Sequence, residues 1–151
     1  MYYCICPVHG VHMRTCRECS PKTALTAALR KSLRGALLRK QKSKISKSLH
    51  YLGLDSWDTA VEMLLKKVAT YNKKARVKIV GLKFDIDHIK PVSAFGGKDL
   101  HLCHHWTNLQ PLPPKLNRSK SGKWNQRSED FWKRNIILNK HYDQIFLPFT
   151  S

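Results

Sequence analysis

The chain has 151 residues, the length of one ordinary domain, which excludes a large multidomain enzyme. Its hydrophobic content of 42% is that of a globular protein and excludes a wholly disordered tail. Lys and Arg total 28 against 10 acids, a net charge of +18, and such an imbalance calls for a polyanionic partner, phosphate backbones being the commonest. No apolar run approaches the roughly 18 residues of a membrane span, so no membrane association is expected. The first residues lack the pattern of a secretory signal. The expectation is a cytoplasmic protein, whose cysteines bind metal or stay free.

Cys4, Cys6, Cys16 and Cys19 set off residues 1–20 as a small module. Within it Cys6-Pro7-Val8-His9 and Cys16-Arg17-Glu18-Cys19 read C-x2-H then C-x2-C, with six residues between them. A two-residue gap lets both ligands of a knuckle reach one tetrahedral ion, and two knuckles complete its coordination. Cys6, His9, Cys16 and Cys19 are therefore the expected ligands of a structural Zn2+, which replaces the core so short a segment cannot build. Cys4 and His12 are possible substitutes. Cys103 stands alone and reads as a passive thiol.

Residues 21–76 read as a basic helical region that grips nucleic acid. No acid occurs from Ser20 to Leu54, while Lys22, Arg30, Lys31, Arg34, Arg39, Lys40, Lys42, Lys44 and Lys47 bring nine positive charges. Leu25, Leu29, Leu33 and Leu37 recur every fourth residue, one apolar stripe on a helix, and Ile45 and Leu49 resume the spacing. Ser56 can cap a second helix, with Asp58 and Glu62 near its positive end. Trp57, Val61, Leu64, Leu65 and Val68 form its buried face.

Residues 77–122 read as two short strands followed by loops. Val77-Lys78-Ile79-Val80-Gly81 and Phe84-Asp85-Ile86-Asp87 alternate apolar and polar, with Gly81 as a turn. Residues 123–151 hold a last helix, capped by Ser128 and packed down through Phe131, Trp132, Ile136 and Ile137, and a tail.

Asp85-Ile86-Asp87-His88-Ile89 is the chemically unusual stretch. Two of only ten acids meet a histidine in a chain that must hold phosphates. A divalent cation resolves the repulsion by bridging carboxylate and phosphate, and an imidazole beside it suits a general base. The alternative is an edge strand with solvated aspartates and a half-buried His88.

The context of that stretch narrows the choice. Asp87-His88-Ile89-Lys90-Pro91-Val92-Ser93 is followed by Trp106-Thr107-Asn108-Leu109-Gln110-Pro111-Leu112 and by Leu116-Asn117-Arg118-Ser119-Lys120. In order and spacing these pieces resemble the HNH endonuclease motif, in the variant with Asn at its third position. The resemblance covers roughly residues 83 to 121. More loosely, the Cys-x2-His-Gly start and basic middle resemble small phage-borne HNH nucleases, homing-type enzymes among them.

The resemblance implies an α+β protein with a ββα-metal (His-Me finger) catalytic motif, two strands and a short helix around one divalent ion. It implies His88 as general base, Asp87 and Asn117 as metal ligands, and Asn108 as the residue that ties loop to strand behind the base. An oxygen-rich site of this kind favours Mg2+ or Mn2+ over Zn2+. Strict strand alternation, however, sends Asp87 and His88 to opposite faces unless the strand ends or twists there. Asp85 is at most an outer partner. Arg118, Lys120 and Lys123 belong to a solvated basic face or steady charge on phosphate. His101, His104 and His105 flank the loop in supporting or core roles.

The leading expectation is a metal-dependent endonuclease on double-stranded DNA, one nick per protomer, with 5′-phosphate and 3′-hydroxyl ends. A monomer is favoured. The competing expectation is a non-catalytic zinc-ribbon DNA-binding protein on a nuclease-derived scaffold; an RNA-directed nuclease or colicin-type toxin is a third.

Overall fold

A computed structural model describes residues 5–12, 16–38 and 48–137 of the chain, with the backbone alone for 34–38, 48 and 137. Arg39, Lys40, Lys42, Lys44, Ile45, Lys47 and the side chains of Arg34, Leu37 and Ile137 lie outside the described residues, as does Cys4. The class is α+β. No helix among the described residues is long and apolar enough to cross a membrane.

Helix α1 (Pro21–Leu38) grows directly out of the second Cys knuckle. The Ser20 N–H donates to the Cys16 carbonyl and the Ala24 N–H to the Ser20 carbonyl, and Pro21 occupies the first turn, where its missing N–H costs nothing. Leu25, Leu29 and Leu33 of the predicted stripe are fully buried. They share one core with Leu52 of α2 (Ser48–Leu52) and with Ala60, Val61, Leu64 and Val68 of α3 (Trp57–Lys74). As predicted, the Ser56 hydroxyl caps α3, accepting from the Thr59 N–H at 3.1 Å. Trp57 and Leu65 pack only partly buried at the edge of that core.

The expected strand at Val77–Gly81 is not one. The Ile79 N–H donates to Asn72 Oδ1 at 2.7 Å, and Asn72 Nδ2 donates to the Ile79 carbonyl at 3.1 Å. A side chain thus takes the backbone groups that a neighbouring strand would pair, and Val77 and Val80 stay exposed. Gly81 does turn the chain: Gly81 and Leu82 have φ of +59° and +54°, and the Lys83 N–H closes onto the Val80 carbonyl. Two left-handed residues in succession suit a tight reversal, but the second is a leucine, for which that conformation is strained.

Strand β1 (Asp85–His88) pairs antiparallel with β2 (Leu109–Leu112), Asp87 opposite Gln110 and His88 opposite Leu109. The alternation rule does not reveal β2, because it contains Pro111. In a two-stranded sheet both strands are edges, so a residue without an N–H is tolerated. Between the strands the chain makes two 3-10 turns (Val92–Phe95 and Trp106–Asn108) and the short α4 (Leu100–Cys103). Helix α5 (Pro114–Lys120) follows β2 at once and contacts β1.

Helix α6 (Gln126–Trp132) starts three residues earlier than a Ser128 cap implies. Asn125, not Ser128, is its cap: Asn125 Oδ1 accepts from the Ser128 N–H at 2.9 Å and the Ser128 hydroxyl at 3.0 Å. Both side chains are good caps, and the one that keeps Ser128 inside the first turn wins. Trp132 and Ile136 bury, with Phe131 partly covered, in a second core with Ile89, Phe95 and Cys103.

Candidate functional site

The N-terminal module brings its predicted ligands together. His9 Nδ1 lies 3.5 Å from Cys6 Sγ, 3.4 Å from Cys16 Sγ and 3.6 Å from Cys19 Sγ, and Cys6 and Cys19 sulfurs are 3.5 Å apart. A tetrahedral zinc with Zn–S about 2.3 Å and Zn–N about 2.0 Å has edges of about 3.5–3.8 Å. The cluster therefore has the dimensions of a zinc site before any ion is considered, and its cysteines are free thiols. Burial opposes ionisation of Cys6, yet bonds from His9 bring its pKa down to about 6, while hydrogen bonding with Cys6 and Cys16 pushes Cys19 up to about 12. A divalent cation is what lets all three sulfurs ionise together. His12 stands outside this cluster and pairs its backbone with Ile5.

Two residues between the cysteine ligands, Arg17 and Glu18, key the module to the rest of the chain. Glu18 Oε2 sits 2.7 Å from His9 Nε2, the outer carboxylate that orients a metal-bound imidazole. A Cβ on Gly81 would fall 2.4 Å from Glu18 Oε1, so a larger residue there would push the Glu18 carboxylate aside as well as strain a backbone at φ +59°. Arg17 donates to the carbonyls of Leu82 and Phe84 at 3.1 and 2.6 Å, with its guanidinium over the Phe84 ring. The cysteine module thus grips the strained turn that launches β1.

On β1 the side chains alternate as strand geometry dictates. Asp85 and Asp87 face α5, and His88 faces the connection. Asn117 Nδ2 donates to Asp85 Oδ2 at 3.0 Å. Asp87 receives Gln110 Nε2 at 3.0 Å and the Lys120 ammonium at 2.9 Å; the same ammonium donates to the His88 carbonyl at 2.7 Å. Burial holds the Asp87 carboxyl above the usual carboxylate range even with Lys120 and Gln110 favouring its anion.

His88 Nε2 lies 3.1 Å from Nδ1 of the fully buried His104. Burial chiefly, with His104 and Lys120 adding, drives the His88 pKa down to about 3. Behind it Asn108 is itself fully buried. Its Oδ1 accepts from the Lys90 N–H at 2.9 Å and from Trp132 Nε1 at 2.8 Å; its Nδ2 donates to the carbonyls of Cys103 at 2.9 Å and Lys90 at 3.2 Å. The amide spends its whole hydrogen-bonding capacity tying the end of β1 to the loop and to α6.

No family model, curated protein or solved structure matches the chain.

The geometry thus joins Asn117 to Asp85 rather than to Asp87, and it parts Asp87 from His88 across the strand. Lys120 is buried against Asp87, not part of a solvated basic face, whereas Arg118 and Lys123 are exposed. The spacing of Asn117 and Lys120, three apart on a helix, puts them on one face and was the available signal. Nothing in the pattern marked His104 as the neighbour of His88, or Glu18 as the outer partner of His9.

Proposed function

We propose that the chain is a metal-dependent DNA endonuclease of the HNH type, with a zinc-stabilised N-terminus and basic helices that follow the DNA backbone. One observation carries the reading. The β1–β2 ribbon and α5 set Asp85 and Asp87 against Asn117 and Lys120, with His88 next along the strand and Asn108 locking it from behind. That is an oxygen-rich cluster on one face of β1 and an imidazole on the other, inside a chain of net charge +18.

The donor chemistry fits a hard divalent ion. Asp87 and Asn117 are the proposed ligands of Mg2+ or Mn2+, with Asp85 alongside as the carboxylate already bonded to Asn117. When bound, such an ion supplies charge neutralisation at the scissile phosphate and a more acidic water.

The chain's own residues do the rest. His88 is the imidazole that would accept a proton from attacking water, and the burial that drives its pKa down to about 3 makes it a weak base until that burial is relieved. Asn108 fixes that ring's backbone. Lys120 neutralises Asp87, so the acidic pair does not repel an approaching phosphate. Attack by water at phosphorus breaks the bond to the 3′ oxygen and leaves a 5′-phosphate and a 3′-hydroxyl. One such site cuts one strand, so a single protomer nicks. Action inside the cytoplasm on double-stranded DNA belongs to the same reading.

A second reading has an observation of its own. His88 is turned against His104 and Asp87 is occupied by Lys120, which suits a scaffold that binds DNA through its zinc module and basic face without cutting. Supercoiled plasmid separates the two. The nuclease reading expects open circles in Mg2+ or Mn2+ and none in EDTA. Tight DNA binding with intact plasmid in every metal overturns it in favour of the binder.

A further inference from the structure

We propose that His88, Cys103 and His104 form a second metal site, one that takes a borderline-soft divalent ion such as Zn2+ or Co2+. One donor atom from each of the three side chains lies within 4.8 Å of the others. The two imidazole nitrogens, His88 Nε2 and His104 Nδ1, are 3.1 Å apart. Two nitrogens on a tetrahedral zinc at about 2.0–2.1 Å stand about 3.3–3.4 Å from one another, so the pair is already at ligand spacing. A modest closing of Cys103 Sγ onto them completes three protein ligands and leaves the fourth position for water.

The backbone holds these ligands in place. Cys103 and His104 are consecutive residues at the end of α4, both fully buried. The Cys103 carbonyl is held by Asn108 Nδ2, and Asn108 in turn accepts from the Lys90 N–H just past β1. The Ile89 N–H donates to the Asn108 carbonyl at 2.7 Å. One residue therefore fixes the α4 end against the strand that carries His88. Sites assembled this way lose little conformational freedom when an ion enters.

The chemistry selects the ion. Two imidazoles and a thiol are donors for zinc or cobalt and poor ones for magnesium or manganese. The carboxylate of Asp87 points away, toward Lys120. This site is thus distinct from the oxygen-rich cluster on the other face of β1. A histidine pair buried for packing alone is the plain alternative, and it meets one objection. His104 is fully buried, its Nδ1 facing the other imidazole and its Nε2 with no hydrogen-bond partner among the described residues, so packing leaves the ring's polar edge half satisfied.

An ion on His88 Nε2 takes that ring out of service as a base, so an occupied site opposes the nuclease reading at His88, while an empty one leaves that reading standing; the test counts ions in the full chain and does not depend on cleavage. Protein equilibrated with Zn2+ or Co2+ and freed of excess should hold about two ions per chain, one in the N-terminal cluster and one here. Cys103→Ser should hold about one, and its cobalt form should lose one thiolate-to-cobalt charge-transfer contribution while keeping that of the N-terminal site. His88→Gln should also fall to about one, which covers the case of a Cys103 variant that does not fold. About one ion per chain in the wild type overturns the proposal. So does a second ion that both variants retain, since it must then sit elsewhere.

Discussion

Lys120 stands 2.9 Å from Asp87 with both side chains almost wholly out of water. Each is the answer to the other's burial: an aspartate in the only sheet among the described residues, and a lysine at the end of the helix packed on it. Removing one partner strands the other. Lys120→Met should therefore destabilise the fold by about 3–5 kcal/mol, whereas Asp87→Leu with Lys120→Met together should recover much of that loss. Urea unfolding of the wild type, both singles and the double checks it; costs that simply add would show that the pair is not coupled.

Glu18 stands 2.7 Å behind His9, outside the Cys6, His9, Cys16 and Cys19 cluster that could hold a metal ion. Glu18→Gln keeps the size of the side chain and removes the charge facing His9 Nε2. Zinc affinity should fall about 10–100-fold, read by competition with a chromophoric chelator. An unchanged affinity would mean that the contact with His9 does not steer the ligand.

Asn108 ties four groups with one amide. Asn108→Ala leaves the Lys90 N–H, two carbonyls and the Trp132 indole N–H seeking partners in a closed interior. The expected cost is about 3 kcal/mol or more, visible as a lowered melting temperature. A loss below about 1 kcal/mol would show that water or neighbouring groups serve those atoms equally well.

Lys67 gives the pH dependence. Its ammonium is buried in α3 and donates to the carbonyls of Trp106 and Leu109. Burial lowers its pKa from the ordinary 10.5 to about 7. Between those values the unfolded chain holds a proton that the folded chain has shed, so stability rises with pH across the window and is lost as pH falls through about 7. Melting temperature from pH 7 to pH 10 should climb more steeply in the wild type than in Lys67→Met, whose slope reports the remaining groups. Parallel slopes would place the Lys67 titration outside that window.

How much of this was legible follows physical lines. The α1 and α3 helices were readable because leucines at every fourth position and a Ser56 cap are local signals that tertiary packing left intact. The false strand at Val77–Gly81 came from an apolar pattern of which only Ile79 is buried, with Val77 and Val80 in solvent, while Asn72 satisfies the backbone instead. Strand β2 hid behind Pro111, which alternation rules penalise although a two-stranded edge accepts it. At the site, the opposed facing of Asp87 and His88 follows from strand period alone. The burial of Lys120 does not, because a lysine on a short helix is solvated unless a partner from another element meets it. The pairing of Asn117 with Asp85, and of His88 with His104, likewise depends on how β1, α4 and α5 close on one another.

The central claim is that His88 abstracts the proton in a metal-dependent cut of DNA. The most direct measurement is the initial rate of plasmid nicking in Mn2+ by the wild type and by His88→Ala, with DNA affinity measured beside it. A rate loss of about 10²–10⁴-fold with affinity unchanged is the expected result. Equal nicking rates in the two proteins would contradict it.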